Sequence, residues 1–202
     1  MRMGHVMRRS HLCDLIHDEV FLTTPTVLIL ASGRGTRFIA SGGQGNKLQA
    51  RLGSRTVLQH TLAAVQASGL PWHLEDSGQP GMGDSIAAAV RATSSAAGWL
   101  ILPGDLPLVQ SATLLAVAAA LQQHAVVVPV VQGQRGHPVG FGPACGPALQ
   151  ALQGAGGAAP VVAAYGAFEL PIGDIGCITD IDTVAALQAA ARLLPGDGEL
   201  KS

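Results

Sequence analysis

The sequence predicts an α/β fold built on a doubly wound, mostly parallel, Rossmann-like sheet, and three observations carry that expectation. Short apolar runs at Val27–Leu30, Trp99–Leu102 and Ala125–Val131 each end in a Gly-, Pro- or Asp-containing turn, as buried strands do. Between them lie segments whose apolar residues fall at helical spacing, and strands alternating with helices imply a parallel sheet covered on both faces. Hydrophobic residues make up 48% of the 202 but aromatics only 3%, so the core must be built from Ala, Val, Leu and Gly. Small residues of that kind suit close packing of helix on sheet.

Taken in order, residues 1–24 read as a poorly ordered N-terminal extension, 25–195 as a single domain and 196–202 as a C-terminal tail. After the first strand, Val57, Leu58, Thr61, Leu62 and Val65 mark a helix that Gly69-Leu70-Pro71 stops. The stretch from Trp72 to Ser85 reads as a polar, turn-rich connection into a helix over 84–97. The strand at 99–102 ends in Pro103-Gly104-Asp105, and Ser111 is a plausible N-cap for a helix to Gln123. The β-branched run 125–131 is a strand, 133–147 a Gly/Pro-rich segment, and 147–165 one or two short helices. Cys177–Ile181 reads as a final strand and Thr183–Leu194 as a C-terminal helix.

Several function classes are disfavoured. A net charge of -1 without a basic stripe argues against nucleic acid. Three widely spaced cysteines, Cys13, Cys145 and Cys177, form neither a zinc pattern nor a disulfide framework, so the simplest expectation is a reducing cytoplasm. Charged residues between His11 and Glu19 interrupt any secretory h-region. The stretch 106–134 lacks Asp, Glu, Lys and Arg, yet Gln122, Gln123, His124 and Pro129 divide it, so no membrane span is expected.

The chemistry concentrates between Val27 and Lys47. Leu30, Ala31, Ser32, Gly33, Arg34 and Gly35 form a small-residue loop after a strand, followed by Arg37 and by Lys47, one of only two lysines. Small residues let backbone N–H groups approach a polyphosphate, and the cationic side chains supply the counter-charge. The pattern is neither a P-loop nor a dinucleotide-binding GxGxxG; a plain strand-to-helix turn is the alternative. Asp105 at a strand end is placed where open α/β sheets bind ligands, and a triphosphate needs Mg²⁺ held by one or two carboxylates; a capping role is its alternative. Gly81-Met82-Gly83-Asp84-Ser85 opens a helix whose N-terminus favours anions, with Asp84 or Ser85 as a simple cap otherwise. His137, in a Gly-rich loop before a proline, is expected to line a surface. Glu75, Asp76, Asp174, His60 and His73 have no motif around them and are expected on the surface or in loops.

These motifs, in order, resemble the molybdenum cofactor cytidylyltransferases within the NTP transferase superfamily. The first loop is similar to the superfamily's LxxGxGxR(M/F)…K signature, GMGDS to its GMGxS element, Gly136–Phe141 to GHPV(x)F, and Asp180-Ile181-Asp182-Thr183 to a terminal DIDTP with Val184 in place of Pro. The resemblance runs from about Val27 to Leu194. It implies catalytic roles for Arg37, Lys47 and Asp105, and a metal site at Asp105 completed by Asp180 or Asp182, with Asp182 favoured instead as a helix cap. It further implies nucleotide and cofactor contacts from residues 30–35, Lys47, Gly81, Met82, Gly83 and Ser85, and a pterin contact from His137. The implied reaction joins CMP from CTP to the terminal phosphate of molybdopterin with Mg²⁺ and releases pyrophosphate. A xanthine dehydrogenase-type apoenzyme or its maturation factor is the implied partner. GTP, another phosphorylated acceptor, or non-catalytic delivery of molybdopterin are the alternatives. Three departures stand out. Residues Ser41–Asn46 lengthen the loop before Lys47, Ser32 replaces the usual Ala, and Gly69–Gly81 leaves no room for both a strand and a helix, so the sheet is expected to be one βα unit shorter than usual.

Overall fold

The computed structural model describes residues 24–33 and 35–194, so Arg34, the expected tail and all but the last residue of the expected extension lie outside the described residues. The first strand, β1 (Thr26–Leu30), alternates between two cores, with Val27 and Ile29 on one face and Leu28 on the other, all fully buried. A strand buried on both faces reads as an unbroken apolar run. A five-residue helix, α1 (Thr36–Ala40), a 3₁₀ turn (Lys47–Gln49) and a short hairpin, β2 (Arg51–Leu52) with β3 (Arg55–Thr56), lead into α2 (Val57–Ser68). The α2 N-terminus carries a capping box: Thr56 Oγ1 accepts the Gln59 N–H while Gln59 Oε1 accepts the Thr56 N–H. Gly69, at φ 69°, closes it in the left-handed conformation that glycine tolerates.

Next come β4 (Trp72–Glu75), α3 (Met82–Ala92), β5 (Trp99–Pro103), α4 (Ser111–Ala120) and β6 (Val126–Val131). β7 (Gln134–Arg135) folds back on β6 in a tight hairpin; β8 (Val139–Phe141) follows on the other side of β6, then two short helices, α5 (Gly146–Gln150) and α6 (Ala159–Tyr165). The chain finishes with β9 (Phe168–Pro171) and α7 (Val184–Leu193). The seven-stranded sheet has the order β4-β1-β5-β8-β6-β7, with β9 pairing on β6. All strands run parallel except β7 and β8, which are antiparallel to their neighbours. Helices α2 and α4 pack on one face through Val65, Leu114 and Val117, while α3 and α5 cover the other through Ile86, Val90 and Leu149. A third cluster, with Phe38, Leu48, Leu52, Val57 and Ile181, ties the segment after β1 to the C-terminal helix α7. No helix among the described residues is long and apolar enough to cross a membrane.

Five expectations need correction. The polar stretch at 72–75 is a strand, β4, parallel to β1 at the sheet edge, where only one side needs a partner and Trp72 stays 42% exposed. The short connection to α3 then holds no helix, in keeping with the missing room before Gly81. Cys177–Ile181 is not a strand: Ile175–Ile178 forms a 3₁₀ turn, and its neighbouring backbone bonds go to His137 and Asp105 rather than into a ladder. The Gly/Pro-rich segment contains β8, the strand between β5 and β6. Gly140 is required there because a Cβ would sit 2.8 Å from Val117 of α4, and such a glycine hides the strand signal. The fourth is β9, a short strand the sequence left unmarked. Ser111, expected as a cap, is the first helical residue, with Gln110 before it.

Candidate nucleotide-binding site

The carboxyl ends of β4, β1 and β5 and the connection from β7 to β8 surround a cleft of about 680 Å³. The loop after β5 is held rigidly. Gly104 N–H donates to Leu30 O at 2.9 Å, Thr61 Oγ1 donates to Gly104 O at 3.0 Å, and Ile181 N–H donates to Asp105 O at 3.0 Å. Those bonds fix the Asp105 backbone and bring the segment 180–182 alongside it, although 75 residues of chain separate them.

Of the residues expected at the site, Leu30, Ser32, Gly33, Arg37, Lys47, Gly81, Met82, Ser85, Asp105, His137 and Asp180 all line this cleft. Ala31, Gly35 and Gly83 do not. Ala31 N–H donates to Glu75 O, tying the loop to β4. Gly35 takes a positive φ of 61° with Lys47 packed behind it. Gly81 and Gly83 are close-approach positions: a Cβ on Gly81 would lie 2.4 Å from the Gly154 backbone, and one on Gly83 2.8 Å from Gln153 O. Neither expected capping role at this helix holds, since Gly81 occupies the N-cap, Asp84 Oδ2 accepts the Gly154 N–H and Ser85 Oγ donates to Gly81 O.

An ionic cluster dominates the cleft. Lys47, only 9% exposed despite the lengthened loop, places Nζ 2.5 Å from Asp105 Oδ2 and 2.7 Å from Asp182 Oδ1. Arg37 pairs with the other Asp182 oxygen. Asp182 is therefore not the helix cap: Thr183 does that work, accepting the Ala186 N–H, and leaves Asp182 free to face the cations. Burial pulls the Lys47 ammonium pKa down, but Asp105 and Asp182 outweigh it and the net shift is upward. Partial burial pushes Asp182 up, yet Lys47 and Arg37 bring it below the usual carboxylate value. Asp180 is raised, chiefly by burial and also by the charges of Asp182 and Asp105. The second oxygen of Asp105, Oδ1, is buried without a hydrogen-bond partner. A buried carboxylate oxygen without a donor is costly, and a hard cation is the partner its chemistry fits. Among the described residues no group of three or more His, Cys, Asp or Glu is placed to hold a metal. A cation here would therefore take one or two carboxylates and draw its other ligands from phosphate and water, as Mg²⁺ does.

His137 stands between this cleft and a second, apolar cavity of about 560 Å³ between α3 and α6. Its N–H donates to Cys177 O at 2.9 Å, and burial lowers the ring pKa against the pull of Asp105. The expectation of a surface position is corrected to a half-buried one.

Two acids expected on the surface or in loops are buried: Glu75 in a strand and Asp174 in a loop. Asp174, 5% exposed, accepts bonds from Gln110 N, Thr113 Oγ1 and Gly176 N, clamping the turn after β9 to the start of α4. Glu75, 6% exposed, ends β4 beside the cleft. No periodicity marks either residue. The only signal for Asp174 was its place just before the turn that buries Gly176 and Cys177.

A family model described as a MobA-like NTP transferase domain matches residues 63–168, a span that contains Asp105 and His137. No curated protein matches the sequence. The fold is similar to that of Rv0371c from Mycobacterium tuberculosis H37Rv, 20% identical, with a TM-score of 0.70 and coverage of 84% of this chain and 97% of that one. A structure of Rv0371c in complex with manganese is also similar, at a TM-score of 0.65 and 19% identity over 84% of this chain and 98% of that one. A nucleotidyl transferase from Methanothermobacter, Mth528, is 18% identical with a TM-score of 0.68 over 84% of this chain and 97% of that one. Molybdopterin-guanine dinucleotide biosynthesis protein A from Archaeoglobus fulgidus is 15% identical with a TM-score of 0.62 over 83% of this chain and 97% of that one.

Proposed function

Because the chain belongs to the family of MobA-like NTP transferase domains, related to the molybdenum cofactor nucleotidyltransferases, we propose that it joins CMP from CTP to the terminal phosphate of molybdopterin. Pyrophosphate is the second product. The observation that carries the reading is Asp105, whose buried, unpartnered Oδ1 shares one cleft with Lys47, Arg37 and the glycine loop. Asp105, with Asp180 or Asp182 beside it, would hold Mg²⁺, which when bound neutralises phosphate charge as a Lewis acid. The manganese complex of Rv0371c supports a divalent cation. The pterin acceptor is supported by the Archaeoglobus neighbour, a molybdopterin-guanine dinucleotide biosynthesis protein, and by the Gly136–Phe141 segment.

In this reading the glycine loop receives the triphosphate, and the terminal phosphate oxygen of the acceptor attacks the α-phosphorus in line. A phosphoanhydride forms between acceptor and CMP, and the bond from the α-phosphorus to the bridging oxygen breaks as pyrophosphate departs. The attacking phosphate is already ionised, so no general base is needed. Catalysis is then positioning and charge neutralisation. Lys47, kept cationic by its two carboxylates, and Arg37, mostly in solvent, would turn from those carboxylates to the departing pyrophosphate. Neutral His137 would meet the acceptor at the passage to the apolar cavity. The deciding experiment incubates the protein with molybdopterin, Mg²⁺ and each NTP in turn and weighs the products. A cytosine dinucleotide from CTP, lost in Asp105→Asn, supports the reading. A guanine dinucleotide from GTP overturns the base assignment, and pterin bound without turnover indicates a delivery protein.

A further inference from the structure

The wall of the cleft beside β4 carries a chain of hydrogen bonds that the motifs do not account for. Glu75 Oε1 accepts the Ser77 backbone N–H at 3.1 Å and also the Ser77 hydroxyl. Ser77 Oγ in turn accepts from Gln79 Nε2 at 3.1 Å, and Gln79 lines the cleft. The chain has a direction. A hydroxyl has a single hydrogen. Glu75 Oε1 already acts as an acceptor, so the Ser77 hydrogen points to it and only lone pairs are left toward Gln79. The amide can then present nitrogen to Ser77 but not oxygen, since turning it over would set two acceptors against each other.

We propose that Gln79 is the residue that reads the nucleobase, and that Ser77, anchored on buried Glu75, is the positioning residue that fixes its polarity. The proposal rests on the nucleotidyl-transfer reading of the same cleft. Sheet order places β4, with Gln79 just after it, on one side of β1 and β5, with Asp105 just beyond β5, and β8, with His137 in the connection that precedes it, on the other. A triphosphate held at Asp105 therefore has two ends of the cleft for its base and the acceptor. The β8 end opens into an apolar cavity past Arg135 and His137, whereas the β4 end offers an oriented amide. With one N–H on Ser77, Gln79 keeps its second N–H beside Oε1 as a donor–acceptor edge. Cytosine presents an amino donor beside a ring acceptor, and uracil presents the reverse. A base tethered through its ribose and phosphates cannot turn over to compensate, so a fixed amide separates amino from keto pyrimidines of equal size. Since the nucleotidyl-transfer reading takes CTP, the direction expected is CTP over UTP.

The test measures dissociation constants for CTP and UTP with Mg²⁺ by calorimetry. The wild type is expected to bind CTP about tenfold more tightly, the order a paired amide–base contact provides. Ser77→Ala should bring the two within about twofold, Ser77→Thr should restore the preference by restoring the hydroxyl, and Gln79→Leu should level it. A merely structural Ser77 would shift both nucleotides together and leave their ratio alone. An unchanged ratio in Ser77→Ala, or no preference in the wild type, overturns the proposal. If the wild type releases pyrophosphate from CTP in either case, the nucleotidyl-transfer reading stands without it. If the wild type binds neither nucleotide and turns over no NTP, both fall.

Discussion

Removing Asp105 should cost this protein the proposed metal site and nucleotidyl transfer but little of its stability. In Asp105→Ala two contributions oppose. The charged hydrogen bond from Lys47 Nζ to Oδ2, 2.5 Å long, disappears; such a bond contributes about 1.5–3 kcal/mol. The buried oxygen Oδ1, without a donor, disappears as well, and an unsatisfied polar atom costs about 1–3 kcal/mol. Lys47 keeps Asp182 at 2.7 Å. The net change should lie within about 1 kcal/mol of zero. Lys47→Met is the contrast: it strips Asp105 of its cation and leaves Asp182 only the exposed Arg37, among groups whose side chains are only 11–22% exposed at the Lys47 pairs. Breaking a mostly buried pair from one side costs about 3 kcal/mol. Urea unfolding at pH 7.5 without divalent cation reads both values. Adding Mg²⁺ and CTP at about a hundred times their dissociation constant should stabilise the wild type by about 2.7 kcal/mol. A chain of this size then gains about 5–10 °C in Tm, and Asp105→Ala gains none. If Asp105→Ala proves as destabilising as Lys47→Met, or still responds to the cation, Asp105 is a structural acid and not a carboxylate held in reserve.

Asp174→Ala strands three donors, Gln110 N, Thr113 Oγ1 and Gly176 N, and should lower unfolding free energy by about 3 kcal/mol or more in the same titration. Gly81→Ala forces a Cβ into the Gly154 backbone at 2.4 Å and should cost about 2 kcal/mol, with weaker nucleotide binding in calorimetry as the helix start shifts. The pH dependence follows from His137, whose pKa burial pushes below 6.5. The unfolded chain takes up a proton near 6.5 while the folded one does not, so stability is complete above that pH and declines as pH falls below it. His137→Gln should remove that part of the decline, seen by comparing urea midpoints at pH 7.5 and 5.5. A decline unchanged in the variant assigns it to another group.

Local sequence carried the alternation of the main elements, and most of the site residues expected from it line the cleft. Buried parallel strands such as Val27–Leu30 and Trp99–Leu102 are written as continuous apolar runs, and the turns after them carry the small residues and Asp105. Local chemistry also wrote the end of α2, because a helix stop at Gly69 depends on neighbours in the chain. What only the tertiary structure decided are the relations between distant segments. Edge and glycine-bearing strands, β4 and β8, are strands because a neighbour accepts their backbone, not because of their own period. The parting of Asp182 from the helix cap it was expected to form depended on Lys47 arriving from 135 residues away. Glu75 and Asp174 looked like surface acids because charge alone says nothing about which backbone donors will fold around it. Period and turn chemistry act over a few residues, while the pairing of charges depends on where the sheet brings remote loops together.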